Sequence, residues 1–206
     1  MTTRPSALRY VALGDSYTIG TSVSSAESWP SQLAARMPQL NLVANLGVNG
    51  YGSDDLIRFE LPAIVDLRPD LVTLLIGVND VVRGVSDAEY AANVDRTLTA
   101  LIARIPPERI VVVATPDYTV TPIGTRFGDS SRQSSTVARF NEILGARAAA
   151  HGVAFVPGTF SISQAAGDDR SLLAHDGLHP SGAQYALWVD AIQPVVEELL
   201  LPSGDR

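Results

Sequence analysis

The sequence predicts an α/β three-layer fold, with helices on both sides of a central five-stranded parallel sheet. Short β-branched runs alternate with longer amphipathic segments from one end to the other, and a repeated strand–helix order implies parallel strands joined by right-handed crossovers. One run, Asp70 to Ile76, is nearly all apolar, as befits a strand buried on both faces. The chain has 206 residues, 46% of them hydrophobic, which suits a single domain over 1–206 with one sizeable core.

The elements follow in order. Arg9 to Leu13 reads as the first strand. Ser28 to Met37 reads as a helix that tolerates Pro30 in its first turn. Asn41 to Leu46 is a second strand, followed by a helix from about Ser53 to Asp66. Asp70 to Ile76 is the third strand. Ser86 and Asp87 give an N-cap signal for a helix reaching about Arg104. Arg109 to Ala114 is the fourth strand, Ser130 to Ala150 a helix ending at His151-Gly152, and Val153 to Val156 the fifth strand. A closing helix runs from Ser181 to Leu201, after Pro180. Between the fourth strand and its helix, Thr115 to Asp129 is long, polar and broken by Pro116, Pro122, Gly124 and Gly128. Such a loop is either functional or a surface excursion.

Composition removes several chemistries. The net charge is −7, which argues against nucleic acid and anionic membranes as main partners. There is no cysteine, so disulfides, thiolate catalysis and sulfur-ligated zinc are excluded. All 15 basic residues are Arg, which excludes a Schiff-base lysine and a P-loop lysine. His151, His175 and His179 are the only imidazoles. No apolar stretch approaches the ~20 residues of a membrane span. Met1 to Arg9 lacks the pattern of a signal peptide, so a cytoplasmic location is expected.

In such sheets, ligands bind beyond the carboxyl ends of the strands. Four segments fall there: Gly14-Asp15-Ser16, Gly47-Val48-Asn49-Gly50, Gly77-Val78-Asn79-Asp80 and Asp176-Gly177-Leu178-His179. They should converge on one edge. Ser16, at a tight turn into a helix, offers a hydroxyl that needs a base to become a nucleophile. The Gly-x-Ser-x-Gly elbow is absent, so Ser16 would belong to another architecture. Asp176 and His179 are three apart and can meet on one turn, whereas His175 is adjacent to Asp176 and diverges from it. Gly50 can bring a backbone N–H close to a ligand, and Asn79 adds a neutral donor. Taken singly, each of these is ordinary turn or cap chemistry.

Jointly the four segments resemble the blocks of the GDSL, or SGNH, hydrolase family, in the right order and on the right elements. The segment Trp29-Pro30-Ser31-Gln32-Leu33 also looks like members of that family. The resemblance implies a flavodoxin-like fold and a serine esterase or lipase-like acyl hydrolase. It implies Ser16 as nucleophile, His179 as base and Asp176 as its orienting carboxylate. It further implies an oxyanion hole from the N–H groups of Ser16 and Gly50 and the Asn79 side chain, with Gly47 a rival to Gly50. No metal or organic cofactor is implied. The motif's Leu is replaced by Tyr17, a change expected to leave the catalytic roles untouched. Asp15 and Asp80 read as helix caps or loop braces, and His151 as a helix-end charge. A small ester is the expected substrate, with short acyl chains preferred. Thioesters, lysophospholipids and O-acetylated sugars stay open as alternatives. A non-catalytic nucleotide-binding domain is the rival class, but neither Gly-x-Gly-x-x-Gly nor Gly-Lys-Ser/Thr is present.

Overall fold

Five strands form one sheet: β1 (Leu8–Gly14), β2 (Leu40–Asn45), β3 (Leu71–Leu75), β4 (Ile110–Val113) and β5 (Ala154–Val156). Their order is β2-β1-β3-β4-β5 and every neighbouring pair is parallel. The computed structural model describes residues 7–201; most of the N-terminal segment read against a signal peptide lies outside them. β3 and β4 are buried along their whole lengths, which is why their sequences are apolar runs. The one polar residue in β3, Thr73, is satisfied by the Tyr10 hydroxyl at 2.8 Å.

In chain order the helices are α1 (Ser16–Ile19), α2 (Trp29–Arg36), α3 (Ser53–Asp55), α4 (Ile64–Leu67), α5 (Val78–Arg83), α6 (Asp87–Ile102), α7 (Ser130–Ala150), α8 (Gly158–Gln164) and α9 (Gly182–Leu200). α2, α8 and α9 pack together as one outer layer, and α3, α5, α6 and α7 as the other. Trp29, Trp188, Tyr185, Tyr90 and Phe140 fill the interior. The expected cap at Ser86 accepts from Glu89 N, and the other two long helices are capped in the same way, Asp129 accepting from Arg132 N and Ser181 from Gln184 N. His151 closes α7 and contacts Asp95 at 3.1 Å. No described helix is long and apolar enough to cross a membrane.

Two expectations change. The segment from Ser53 is not one regular helix. A π turn (Leu56–Glu60) and a 3₁₀ turn (Leu61–Ala63) separate α3 from α4. Pro62 has no N–H to donate and its ring crowds the preceding turn, so a regular ladder cannot pass through it. The widened turn aims Glu60 inward, where its Oε2 accepts from Gly14 N at 2.9 Å. The loop Thr115 to Asp129 is not a detached excursion either. It carries two 3₁₀ turns (Tyr118–Val120 and Gly124–Phe127) and buries Asp117, Tyr118, Thr119 and Thr121. The Asp117 carboxylate accepts from Thr119 N and Oγ1, so polar residues hold the loop down.

Candidate active site

Ser16 stands where β1 turns into α1. Asp15 is the N-cap, accepting from Tyr17 N at 2.9 Å, and Ser16 is the first helical residue. The Ser16 N–H therefore has no partner within its helix and sits at the positive end of the helix. The turn is gripped from below, through Glu60 and Gly14. Burial pushes the Asp15 carboxyl up to about 7, helped by the charge of Asp80, and pushes Glu60 up to about 8, helped by Asp15. These acids belong to the scaffold beneath the serine, not to the cavity above it.

The second and third blocks meet beside Ser16. Gly47 is buried against α1, and a Cβ there would lie 2.7 Å from Asp15 O and from Ile19 N. It is a close-packing glycine. Gly50 is exposed with φ +82, faces open space and has no hydrogen-bond partner for its N–H among the described residues. Of the two glycines, Gly50 is the one that lines the cavity with an N–H unpartnered among the described residues. Asn79 lies in the first turn of α5. Its Nδ2 donates to Tyr51 O at 2.9 Å, which fixes the amide and leaves its second hydrogen unused. Asp80 is buried and accepts from Ser53 N and Oγ, bracing the chain just beyond Gly50. Burial raises its pKa. Sequence reading missed Arg83. Its guanidinium donates to Gly50 O at 2.6 Å and to Asp55 at 2.8 Å, clamping the turn that presents the Gly50 N–H. Nothing in the local sequence around Arg83 marks those contacts.

The last block is a tight loop. Ala174 N donates to His179 O and Ser181 N to Leu172 O, so the chain from Leu172 to Ser181 folds back on itself before α9. Asp176 Oδ1 accepts from Leu178 N and His179 N, at 2.9 and 3.0 Å. Asp176 Oδ2 lies 2.6 Å from His179 Nδ1. Burial alone would raise the Asp176 pKa. The hydrogen bonds from Ser22, His179 and the two amides overcome that and hold it well below the usual carboxylate range. An ionised carboxylate can only accept, so the facing Nδ1 is the donor and Nε2 is the ring nitrogen left for the cavity. His175 is exposed and forms no hydrogen bond with Asp176 among the described residues. Tyr17 does more than replace a leucine. Its ring lies 5.1 Å from the His179 ring and stacks on Trp188, so it backs the imidazole.

One cavity of about 190 Å³ joins these parts. Ser16, His179, Asn79, Gly50 and Asn49 form its polar side. Tyr17, Val78, Val82, Tyr118, Phe127 and Leu178 form the apolar side. The loop Thr115 to Asp129 thus contributes two aromatic wall residues. A larger depression of about 470 Å³ between α5 and α7 contains none of the motif residues.

A model of the GDSL-like lipase/acylhydrolase family matches residues 12–187. The chain belongs to this family. Two relatives of this GDSL-family protein cover most of it. The esterase TesA of Pseudomonas aeruginosa is 24% identical over 97% of this chain and 93% of its own. The GDSL lipase Rv0518 of Mycobacterium tuberculosis is 31% identical over 94% of this chain and 85% of its own. Among solved structures, an acetyl xylan esterase from Geobacillus stearothermophilus, Axe2, superposes with TM-score 0.72 at 20% identity, covering 96% of this chain and 98% of that one. The fold is therefore that of the GDSL hydrolases, and the reaction class is hydrolysis of carboxylic esters.

Proposed function

We propose that this GDSL hydrolase cleaves small esters with short acyl chains through an acyl-enzyme formed on Ser16. The observation that carries the reading is the ordered chain from Asp176 through His179 to the cavity that Ser16, Gly50 and Asn79 share. Ser16 Oγ attacks the ester carbonyl while His179 Nε2 takes its proton. The carbonyl oxygen becomes an oxyanion, met by the N–H groups of Ser16 and Gly50 and the free Asn79 amide hydrogen. As the tetrahedral species collapses, His179 returns the proton to the departing alcohol. A water then repeats the sequence on the acyl-enzyme and releases the acid. Asp176 stays ionised, holding the imidazole in one tautomer and steadying its cationic form.

The short-chain preference follows from size. A cavity of about 190 Å³ is smaller than the ~300–1,000 Å³ typical of drug-sized ligand sites. The same smallness, with the likeness to an acetyl xylan esterase, favours acetyl groups carried on a sugar as a second reading. A fluorophosphonate should add to the protein once, at Ser16, because only an activated serine reacts readily. Wild-type labelling of Ser16→Ala would overturn the assignment. Side-by-side kcat/KM on p-nitrophenyl esters, acyl-CoA thioesters and acetylated xylo-oligosaccharides separates the substrate readings.

A further inference from the structure

Ser22 stands two residues beyond Gly20, the cap of α1, at φ +69. Among the described residues only one other non-glycine, Arg68, has positive φ, and Arg68 caps the end of α4. Gly20 already caps α1, so Ser22 has no such helix-end task. An L-residue in this region is strained, and glycine would relieve it. Strain of this kind persists where surrounding contacts fix it, and it clusters at functional sites.

The contact is explicit. Ser22 Oγ donates to Asp176 Oδ2 at 2.6 Å, across 154 residues of chain. That is the same oxygen that faces His179 Nδ1 at 2.6 Å. With the amides of Leu178 and His179 on Oδ1, the carboxylate is gripped on both oxygens and its plane is fixed. The neighbouring Thr21 reaches the other way, its Oγ1 donating to Asn49 Oδ1 at 2.5 Å, beside Gly50. The turn that leaves the nucleophile's helix therefore ties down both the acid–base loop and the oxyanion loop. Ser22 does not line the cavity. The other titratable groups facing Asp176 are the hydroxyls of Tyr17 on α1 and Tyr185 on α9, both held neutral by burial.

We propose that Ser22 is a positioning residue for the reaction, a fourth member of the catalytic array that acts through Asp176. The inference rests on the triad assignment above. Its hydroxyl fixes the carboxylate and takes up part of its charge, which sets how tightly the carboxylate holds the imidazolium.

The test compares Ser22→Gly, Ser22→Ala and Ser16→Ala by steady-state kinetics from pH 5 to 9 and by thermal melting. Ser22→Gly removes the hydroxyl and the strain together. Its Tm should equal or exceed that of the wild type, while kcat falls about tenfold, the scale of one lost hydrogen bond to a charged group. KM should stay within about twofold, since the residue does not touch substrate. The acid limb of kcat/KM should move to higher pH, because a carboxylate with one donor fewer binds the imidazolium more strongly. Ser22→Ala should lose similar activity with a lower Tm. Wild-type kcat and an unshifted acid limb in both variants would overturn the proposal while leaving the triad intact. Full activity in Ser16→Ala would instead overturn the triad itself.

Discussion

Asn79 illustrates how a single residue can hold two tasks apart. One amide hydrogen is committed to Tyr51 O; in the mechanism proposed above the other meets an oxygen whose charge grows only as the reaction proceeds. Asn79→Ala should lower kcat by roughly 10²–10³ with little change in KM. His175→Gln, assayed alongside, should keep most activity because that ring faces solvent. A folded Asn79→Ala enzyme that loses less than about threefold, or a dead His175→Gln, would remove the respective assignment. That Ser16, Gly50, Asn79 and the Asp176–His179 pair come together was legible in the sequence because each lies in a short motif in a loop between elements. Ser22 and Arg83 were not. Their partners are far away in sequence, and a serine or an arginine in a polar segment carries no local mark of a distant contact.

At the scale of elements, length decided what could be read. The strands and long helices emerge from periodicity, whereas α1, α5 and α8 are four to seven residues and too short to display one. The irregular turn at Leu56–Glu60 was hidden for another reason. Pro62 announces a break, but not which way the backbone gives. The loop Thr115 to Asp129 looked polar because its polar side chains are used within it, Thr119 donating to Asp117, Thr121 to Tyr118 O and Thr125 to Pro122 O, while Tyr118 and Phe127 turn to the cavity. Phe127 sits edge-on to Tyr118 at 6.0 Å and is partly exposed at the mouth. Phe127→Ala should widen the apolar side and raise kcat/KM for hexanoate relative to acetate esters several-fold. An unchanged ratio would show that this loop does not limit acyl length.

For the whole molecule, buried acids set the response to pH. Glu60 is raised to about 8 and Asp15 to about 7, so the folded state keeps protons that the unfolded chain has released. Between the ordinary carboxylate range and pH 8, the unfolded state binds fewer protons than the native state, and stability falls as pH rises. Asp176 works in the opposite sense, being lowered, and its contribution is lost only in strong acid. The stability maximum should therefore lie on the mildly acidic side. Glu60→Gln should flatten the decline between pH 5 and 9, measured by urea midpoints, and leave the part due to Asp15 and Asp80. A wild-type midpoint that does not change over that range would contradict this account.

The helix α5 has only six residues, yet it supplies Val78 and Val82 to the apolar wall of the cavity, Asn79 to its polar side and Arg83 to the clamp on Gly50. Asn79 and Arg83 are four apart and so lie on one face, which keeps the two polar duties mechanically joined. The Val82 side chain, being apolar, takes no part in those hydrogen bonds. The apolar wall can therefore be recut at Val82 without moving Asn79 or the Arg83 clamp on Gly50. In engineering terms, this separates selectivity from turnover: libraries at positions 82 and 127 would sample new esters on a constant chemical background.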